Sequence, residues 1–362
     1  MAIPTITLYS GDAPIMGQSE GDFSLNAQTF ILWQENLPAE MNAAIDAINL
    51  SLSAEKVAIG LYAGSTNQGA NSIAIGSDAG YYNQSYQSVA VGVNAGKTSQ
   101  SATSVAIGYS AGRYSQRETS IAIGGYSGED SQSAGCVSLG FYSGNDNQEL
   151  YAIAIGYDSG RITQGTKSVS LGYNAGKTNQ GERCVAIGSD AGKTNQYDVS
   201  VCLGYLSSVT AANQVQLGGA TTTTYAYGAV QDRSDIRDKA DIRDTTLGLD
   251  FINALRPVDF KWDMREDYRQ DTVDDNGNKI VDTRKLGEIT HDGSKTRTRF
   301  HQGLIAQEVA EVIKDTGLEF GGLQDHSING GDDVMSIGYE EFIAPLIKAV
   351  QELSNKVKEL EK

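Results

Sequence analysis

The sequence is poor in cysteine, proline and histidine, with three, five and three of these among 362 residues. Cys136, Cys184 and Cys202 replace Ser or Ala at small-residue positions, which predicts buried free thiols and not a disulfide framework. No CxxC or Cys/His cluster is present, so we expect no zinc site and no other cofactor.

The chain also has no hydrophobic run near the ~20 residues that a membrane-spanning helix requires, so we expect no membrane insertion. Residues 1–20 contain no basic stretch followed by an apolar core, so we predict no secretory signal. The formal net charge is −17, and residues 1–50 contain neither Lys nor Arg. That balance argues against nucleic acid as a partner, because phosphate binding requires basic surfaces.

A 16-residue repeat fills the middle of the chain. The sequence S-V-A-I-G recurs with its glycine at the same interval, and a glutamine follows eight residues after most of these glycines. The repeat glycines are Gly60, Gly76, Gly92, Gly108, Gly124, Gly140, Gly156, Gly172, Gly188 and Gly204. One such unit is too small to bury its own apolar face, so the units must stack. We predict a mainly β protein with an elongated parallel β-roll, or solenoid rod, over residues 56–218. Stacked glutamines should form a hydrogen-bonded ladder.

Each repeat contains a short segment of alternating large and small residues, as in Val105-Ala106-Ile107. Period two predicts a strand with Val and Ile on one face. The small residue between them should let another backbone approach closely on the opposite face. Tyrosines after the repeat glycine, such as Tyr157 and Tyr173, could stack on sugar rings or simply cover the flank of the rod. We favour the flank.

The repeat resembles the β-rolls in the heads of trimeric bacterial adhesins, over residues 56–218 including a last unit at Val215–Gly218. This resemblance implies a homotrimer that packs along the rod.

A second resemblance lies in the charged C-terminal part, over residues 234–362. Four motifs occur in order: S-D-I-R-D-K from Ser234, L-D-F-I-N-A-L-R-P-V-D-F-K-W from Leu249, H-Q-G-L-I-A-Q-E-V from His301, and Y-E-E-F-I-A-P-L from Tyr339. They resemble the intramolecular chaperone domain at the C-terminus of phage tail fibres and tailspikes. The family implies an α+β domain that guides trimerisation of the preceding fibre and then cleaves itself off. Carried over, Ser234 is the nucleophile, Lys239 is the general base, and the cleavage site is the Arg233–Ser234 bond.

The residues themselves give partial support to this assignment. A Ser–Lys pair can cleave an amide if the lysine is neutral, which requires burial. Asp235, Asp238 and Asp241 lie nearby and would oppose that form. The alternative is that Ser234 only caps a helix.

The sequence indicates less specific roles for the other polar residues of this region. His301 could have an auxiliary polar role. We expect His291 and His326 to be solvated. Asn276-Gly277 predicts a hairpin turn, because the surrounding acidic stretch does not fit the register of a calcium loop.

The last helix carries apolar residues at alternating steps of four and three, which predicts a coiled coil. They are Tyr339, Ile343, Leu346, Val350, Leu353, Val357 and Leu360. Their residue types alone favour two strands, whereas the rod favours three chains, and we predict a trimer.

The remaining parts of the chain are assigned from the interpretation of the protein as a fibre. Residues 1–35 are predicted to attach to phage baseplate or tail proteins, and residues 219–233 to form a linker. Residues 36–55 contain a helical stripe (Leu37, Met41, Ala44, Ile45 and Ile48) that is expected to set the register of the chains. The alternative is a single helix lying on the first coil.

The sequence therefore predicts a trimeric phage fibre or appendage, assembled in the host cytoplasm and located on the virion, that contacts a host cell-surface receptor, which could be a glycan. Its enzymatic activity would be at most one autocatalytic cut. The alternatives are a trimeric bacterial surface adhesin, a fibre that keeps its chaperone uncleaved, and a glycan-degrading tailspike.

Overall fold

A computed structural model describes residues 56–362 with the exception of residues 220, 271, 274–278, 281 and 283. The predicted attachment segment (1–35), the predicted register helix (36–55) and the predicted turn at Asn276-Gly277 lie outside the described residues. The boundaries between the attachment segment, the register helix, the rod, the linker and the C-terminal domain stay predictions.

The repeats form a parallel β-solenoid, as predicted. An eleven-stranded sheet carries one strand from each repeat and a last strand after them. Its members are β1 (Lys56–Ile59), β2 (Ser72–Ile75), β3 (Val89–Val91), β4 (Val105–Ile107), β5 (Ile121–Ile123), β7 (Val137–Leu139), β9 (Ile153–Ile155), β11 (Val169–Leu171), β13 (Val185–Ile187), β15 (Val201–Leu203) and β16 (Val215–Leu217). A five-stranded sheet holds β6 (Asp130–Gln132), β8 (Asp146–Gln148), β10 (Ile162–Gln164), β12 (Thr178–Gln180) and β14 (Thr194–Gln196).

The register of the sheet follows the repeat. Val105 pairs with Ile121 and Val169 with Val185, so each residue lies beside its equivalent in the next coil. Only the last pairing departs from this, because Val201 pairs with Val215 and the final coil is shorter.

The interior of the coil is built from small residues. Ala74, Ala106, Ala154 and Cys202 are fully buried, whereas the Val and Ile on either side of them point outward. The close approach of another backbone that we expected at these small residues occurs within one coil. They let the two sheets of the coil close on each other, because the coil is too narrow for larger side chains.

The buried glutamines from Gln100 to Gln164 form a continuous stretch of the predicted ladder. The Nε2 atom of Gln116 donates to Oε1 of Gln132 at 3.1 Å, and Gln132 donates in the same way to Gln148 at 3.0 Å. Each also donates to a backbone carbonyl of the other sheet, as Gln116 does to Val105 O at 2.8 Å. Since a buried amide without a partner would be costly, these paired glutamines fix both the stacking and the spacing of the sheets.

The C-terminal part is an α+β domain. It contains α1 (Leu249–Ala254), β17 (Val258–Phe260), β18 (Thr272–Val273), β19 (Lys279–Ile280), β20 (His301–Gly303), α2 (Ala306–Thr316), β21 (Leu323–Asp325), β22 (Met335–Ile337) and α3 (Ile343–Leu360). The antiparallel pairs are β17 with β20, β18 with β19, and β21 with β22. Its core is a cluster of Leu247, Phe251, Val309, Phe320 and Phe342.

The repeat glycines provide a test of the stacking. A Cβ on Gly108, whose φ is +129°, would lie 2.6 Å from the carbonyl oxygen of Gly124 in the next coil. Gly108→Ala should destabilise the rod by about 3 kcal/mol or more, because backbone strain adds to overpacking. Gly228→Ala is the control, since a Cβ there has nothing within 4 Å. Urea unfolding followed by circular dichroism measures both, and equal midpoints would contradict the stacked geometry.

The cysteines provide a second test. Burial raises the pKa of the Cys136 and Cys202 thiols to about 11, and it also raises the pKa of Cys184. All three should therefore resist a thiol-labelling reagent at pH 8 in the folded protein, because the reactive thiolate is scarce and covered. All three should react in urea, and rapid labelling of the native protein would contradict their placement inside the coil.

Candidate functional site

Ser234 and Lys239 are brought together by one short turn. A 3-10 helix at Ile236–Asp238 reverses the chain between them, and Lys239 follows it in an extended conformation. The Nζ atom of Lys239 donates a hydrogen bond to Ser234 Oγ at 2.7 Å. Two residues five apart in sequence thus reach the distance that a nucleophile and its base require.

Asp235, and not Ser234, caps this turn. Its side chain accepts a hydrogen bond from the backbone N–H of Arg237 at 2.9 Å. The reading of Ser234 as the helix cap is therefore wrong for this turn, and the Ser234 hydroxyl is left to Lys239.

Two of the three nearby acids are engaged by arginines. Asp238 pairs with Arg233 at 2.7 Å, and Asp235 pairs with Arg237 at 2.5 Å. The hydrogen bonds from Arg237 hold the pKa of Asp235 below its usual range. Each of these two carboxylates is therefore paired with an arginine side chain. The Arg233–Asp238 pair also fixes the residue before the predicted scissile bond to the turn that carries the dyad.

The dyad lies on the surface of the single chain, since Ser234 and Lys239 are exposed. A general base must be the neutral amine, and burial favours that form. The chain alone therefore supplies the distance but not the buried environment.

The three histidines have different surroundings. The ring of His301 lies on β20 beside Phe260, with 5.9 Å between ring centroids. The ring of His291 is half exposed, and its Nδ1 lies 2.7 Å from Asp263 Oδ2. His326 is buried with 9% of its surface exposed, so its expected solvation was wrong. Two of its partners, Thr210 and Gln214, lie more than 100 residues away in the rod, a contact that no local sequence signal indicates.

The terminal helix α3 has one buried and one exposed apolar face. Pro345 and Ala349 are buried, and Glu352 accepts a hydrogen bond from the backbone N–H of Leu249 at the start of α1, at 2.8 Å. The predicted heptad positions face outward, and half of the Leu353 surface is exposed. The exposed heptad face has no cover within the described part of the chain.

The rod exposes a second apolar surface, which we call the apolar stripe. It consists of the large residues that precede the repeat glycines, with exposed fractions from 37% to 50%. Its described members in this range include Ile59, Ile75, Ile107, Leu139, Leu171 and Ile187. Beside it, the rings of Phe141, Tyr157 and Tyr173 stack on one another at 5.6 Å. Contiguous apolar surface of this kind marks an interaction surface.

The family comparison falls on the region that carries the dyad. Residues 234–318 match the model of Peptidase_S74, described as chaperone of endosialidase. Residues 234–318 are therefore assigned to a C-terminal Peptidase_S74 chaperone domain. The match begins at Ser234 itself and extends past α2.

The comparisons with curated proteins and with solved structures found no match. The Peptidase_S74 domain and the stacked rod before it indicate a trimerisation chaperone joined to a fibre-like or endosialidase-like protein. No helix within the described ranges is long and apolar enough to cross a membrane.

Proposed function

We propose that this chain is a structural phage fibre protein whose Peptidase_S74 domain assembles three copies and then cuts itself from the rod. The single observation that carries the proposal is a rod of identical coils with an uncovered apolar stripe, joined to this domain. We further propose that the fibre belongs to the virion, with the N-terminal segment on baseplate or tail proteins and the rod directed to a host cell-surface receptor.

Trimer assembly is supported by two separate apolar surfaces. The apolar stripe extends along the rod, and the exposed heptad face of α3 lies in the C-terminal domain. Burial of both in one assembly removes apolar surface from water in the rod and in the C-terminal domain, at about 25 cal/mol per Å². A three-fold arrangement places one stripe of each copy on a shared axis, and the helices can then form a three-stranded coiled coil.

The cutting reaction is intramolecular. Lys239 takes the proton from Ser234 Oγ, and the oxygen attacks the carbonyl carbon of Arg233. The C–N bond to Ser234 breaks, and the proton passes to the released amine of Ser234. Water then hydrolyses the ester between Arg233 and the Ser234 oxygen, which leaves a carboxylate on the rod and a free hydroxyl on the domain. The 2.7 Å contact between Nζ and Oγ supports the first step.

Cleavage predicts two fragments of 233 and 129 residues from the full chain. Ser234→Ala and Lys239→Met should each leave only the intact chain, because one removes the nucleophile and the other the base. Denaturing electrophoresis of the purified protein measures this directly.

The matched controls are Ser294→Ala and Lys295→Met, two exposed residues of the same domain that should leave cleavage unchanged. A wild-type chain that stays intact after it has formed trimers would contradict the protease assignment. It would leave the chaperone assignment standing and favour a fibre that keeps its chaperone.

Assembly predicts a selective effect in α3. Leu353→Asp places a charge in the exposed heptad face and should weaken trimer formation at least tenfold, because that charge would be buried between helices. Asn355→Asp introduces the same side chain on the same helix outside the heptad face and should have little effect. Sedimentation velocity of the Ser234→Ala protein with each change provides the measurement. Equal trimer fractions in the two variants would show that the heptad face is not an interface.

A further inference from the structure

The Peptidase_S74 domain docks on the last coil of the rod through a small polar contact. On the rod side the contact is made by Tyr197, Thr210 and Gln214, which lie between β14 and β16. On the domain side it is made by His326 and Asp332, which are 9% and 7% exposed. We call this set of five residues the docking contact.

The backbone holds the two parts at close range. The N–H of Asp332 donates to the carbonyl oxygen of Thr210 at 2.8 Å, and the Asp332 side chain accepts from the Tyr197 hydroxyl at 3.1 Å. A Cβ on Gly331 would lie 2.7 Å from Thr210 O, so the position has no room for a side chain. These contacts join the two parts through hydrogen bonds between polar groups.

His326 lies at the centre of the docking contact. Its Nδ1 lies 2.6 Å from Thr210 Oγ1, and its Nε2 lies 2.9 Å from Ser336 Oγ. The hydroxyls can rotate to donate or to accept, so they permit either charge state. These two contacts alone do not decide the charge of the ring.

The amide of Gln214 favours the neutral ring. Its Oε1 accepts the backbone N–H groups of Thr210 at 2.9 Å and Ala211 at 3.1 Å, which fixes its orientation. Its Nε2 therefore faces His326, 3.3 Å from each ring nitrogen. An N–H donor placed against the ring is compatible with a lone pair and unfavourable beside an imidazolium.

Burial acts in the same direction. It lowers the pKa of His326 below its ordinary value, and this effect outweighs the neighbouring carboxylates of Asp325 and Asp332, which raise it. Tyr197 stays a neutral donor, because burial and Asp332 raise its pKa to about 12, with Arg269 acting weakly against this. His326 is thus the one group of the docking contact whose charge changes in mildly acidic solution.

We propose that the docking contact is a pH-sensitive attachment, in which neutral His326 holds the domain on the end of the rod and protonated His326 releases it. The pKa of His326 is lower in the docked state, so docking favours the neutral ring. Docking is therefore strongest above the free pKa of about 6.5, and it weakens as the pH falls below that value. After the chain is cut between rod and domain, the domain stays bound at neutral pH and leaves on acidification.

The test does not rest on self-cleavage. A recognition sequence for a site-specific protease is placed in the exposed segment 221–233 of the full-length Ser234→Ala protein, and the chain is cut after assembly. Size-exclusion chromatography at pH 8 should show the domain eluting with the rod. At pH 5 the domain should separate, with an association constant lower by up to about 30-fold per domain.

Two histidine variants distinguish the protonation of His326 from other effects of low pH on the protein. His326→Gln cannot be protonated and should make the retained fraction independent of pH between 8 and 5. His291→Gln removes the half-exposed histidine beside Asp263 and should keep the wild-type pH dependence. Ring titration of His326 by NMR gives a second readout, with the pKa of the ring below its ordinary value in the docked protein and rising after separation.

The proposal is overturned if the wild-type domain stays with the rod at pH 5 or separates at pH 8. It is also overturned if His326→Gln keeps the wild-type pH dependence, or if the ring of His326 titrates at its ordinary value while docked. All of these outcomes can be measured even if the protein does not cleave itself, because the engineered protease site provides the cut.

Discussion

The narrow interior of the coil is the constraint on which the rest of the structure depends. Sixteen residues per coil leave room inside only for Ala, Ser, Cys and a hydrogen-bonded glutamine. The large apolar residues of each repeat must therefore face outward, where they form the apolar stripe. Such a rod leaves apolar surface in water, so it requires other surfaces to cover it.

Identical coils create a second difficulty, which concerns register. Any coil of one copy matches every coil of another, so three rods could align in many ways with similar contacts. A domain at one end that joins three copies before the rods pack would select one alignment. The docking contact joins the C-terminal region to the last coil of the rod, and the heptad face of α3 is a separate exposed surface of that region. The structure thus gives a physical reason why a chaperone domain follows the repeats in the same chain.

The sequence predicted what depends on local order and failed where packing decides. The repeat interval determined the strands, their register and the glutamine ladder, since one offset fixes all three. The alternation of large and small residues in Val105-Ala106-Ile107 predicted a strand with two different faces. It did not predict which face lies inside, because the size of the closed coil decides that. The pairing of Ser234 with Lys239 was expected from the family resemblance and not from their spacing, and its catalytic role stays a prediction. The cap at Asp235 depends on the details of one turn. Burial of His326 could not be predicted, because its partners lie on the last coil of the rod, far away in sequence.

Three-fold assembly is the central claim, and the mass of the intact particle tests it most directly. Sedimentation equilibrium of the full-length Ser234→Ala protein, over a tenfold range of concentration, gives that mass without interference from cleavage. We predict three times the mass of one chain, with the strand signal of the rod in circular dichroism. A folded rod with the mass of one or two chains would contradict the account.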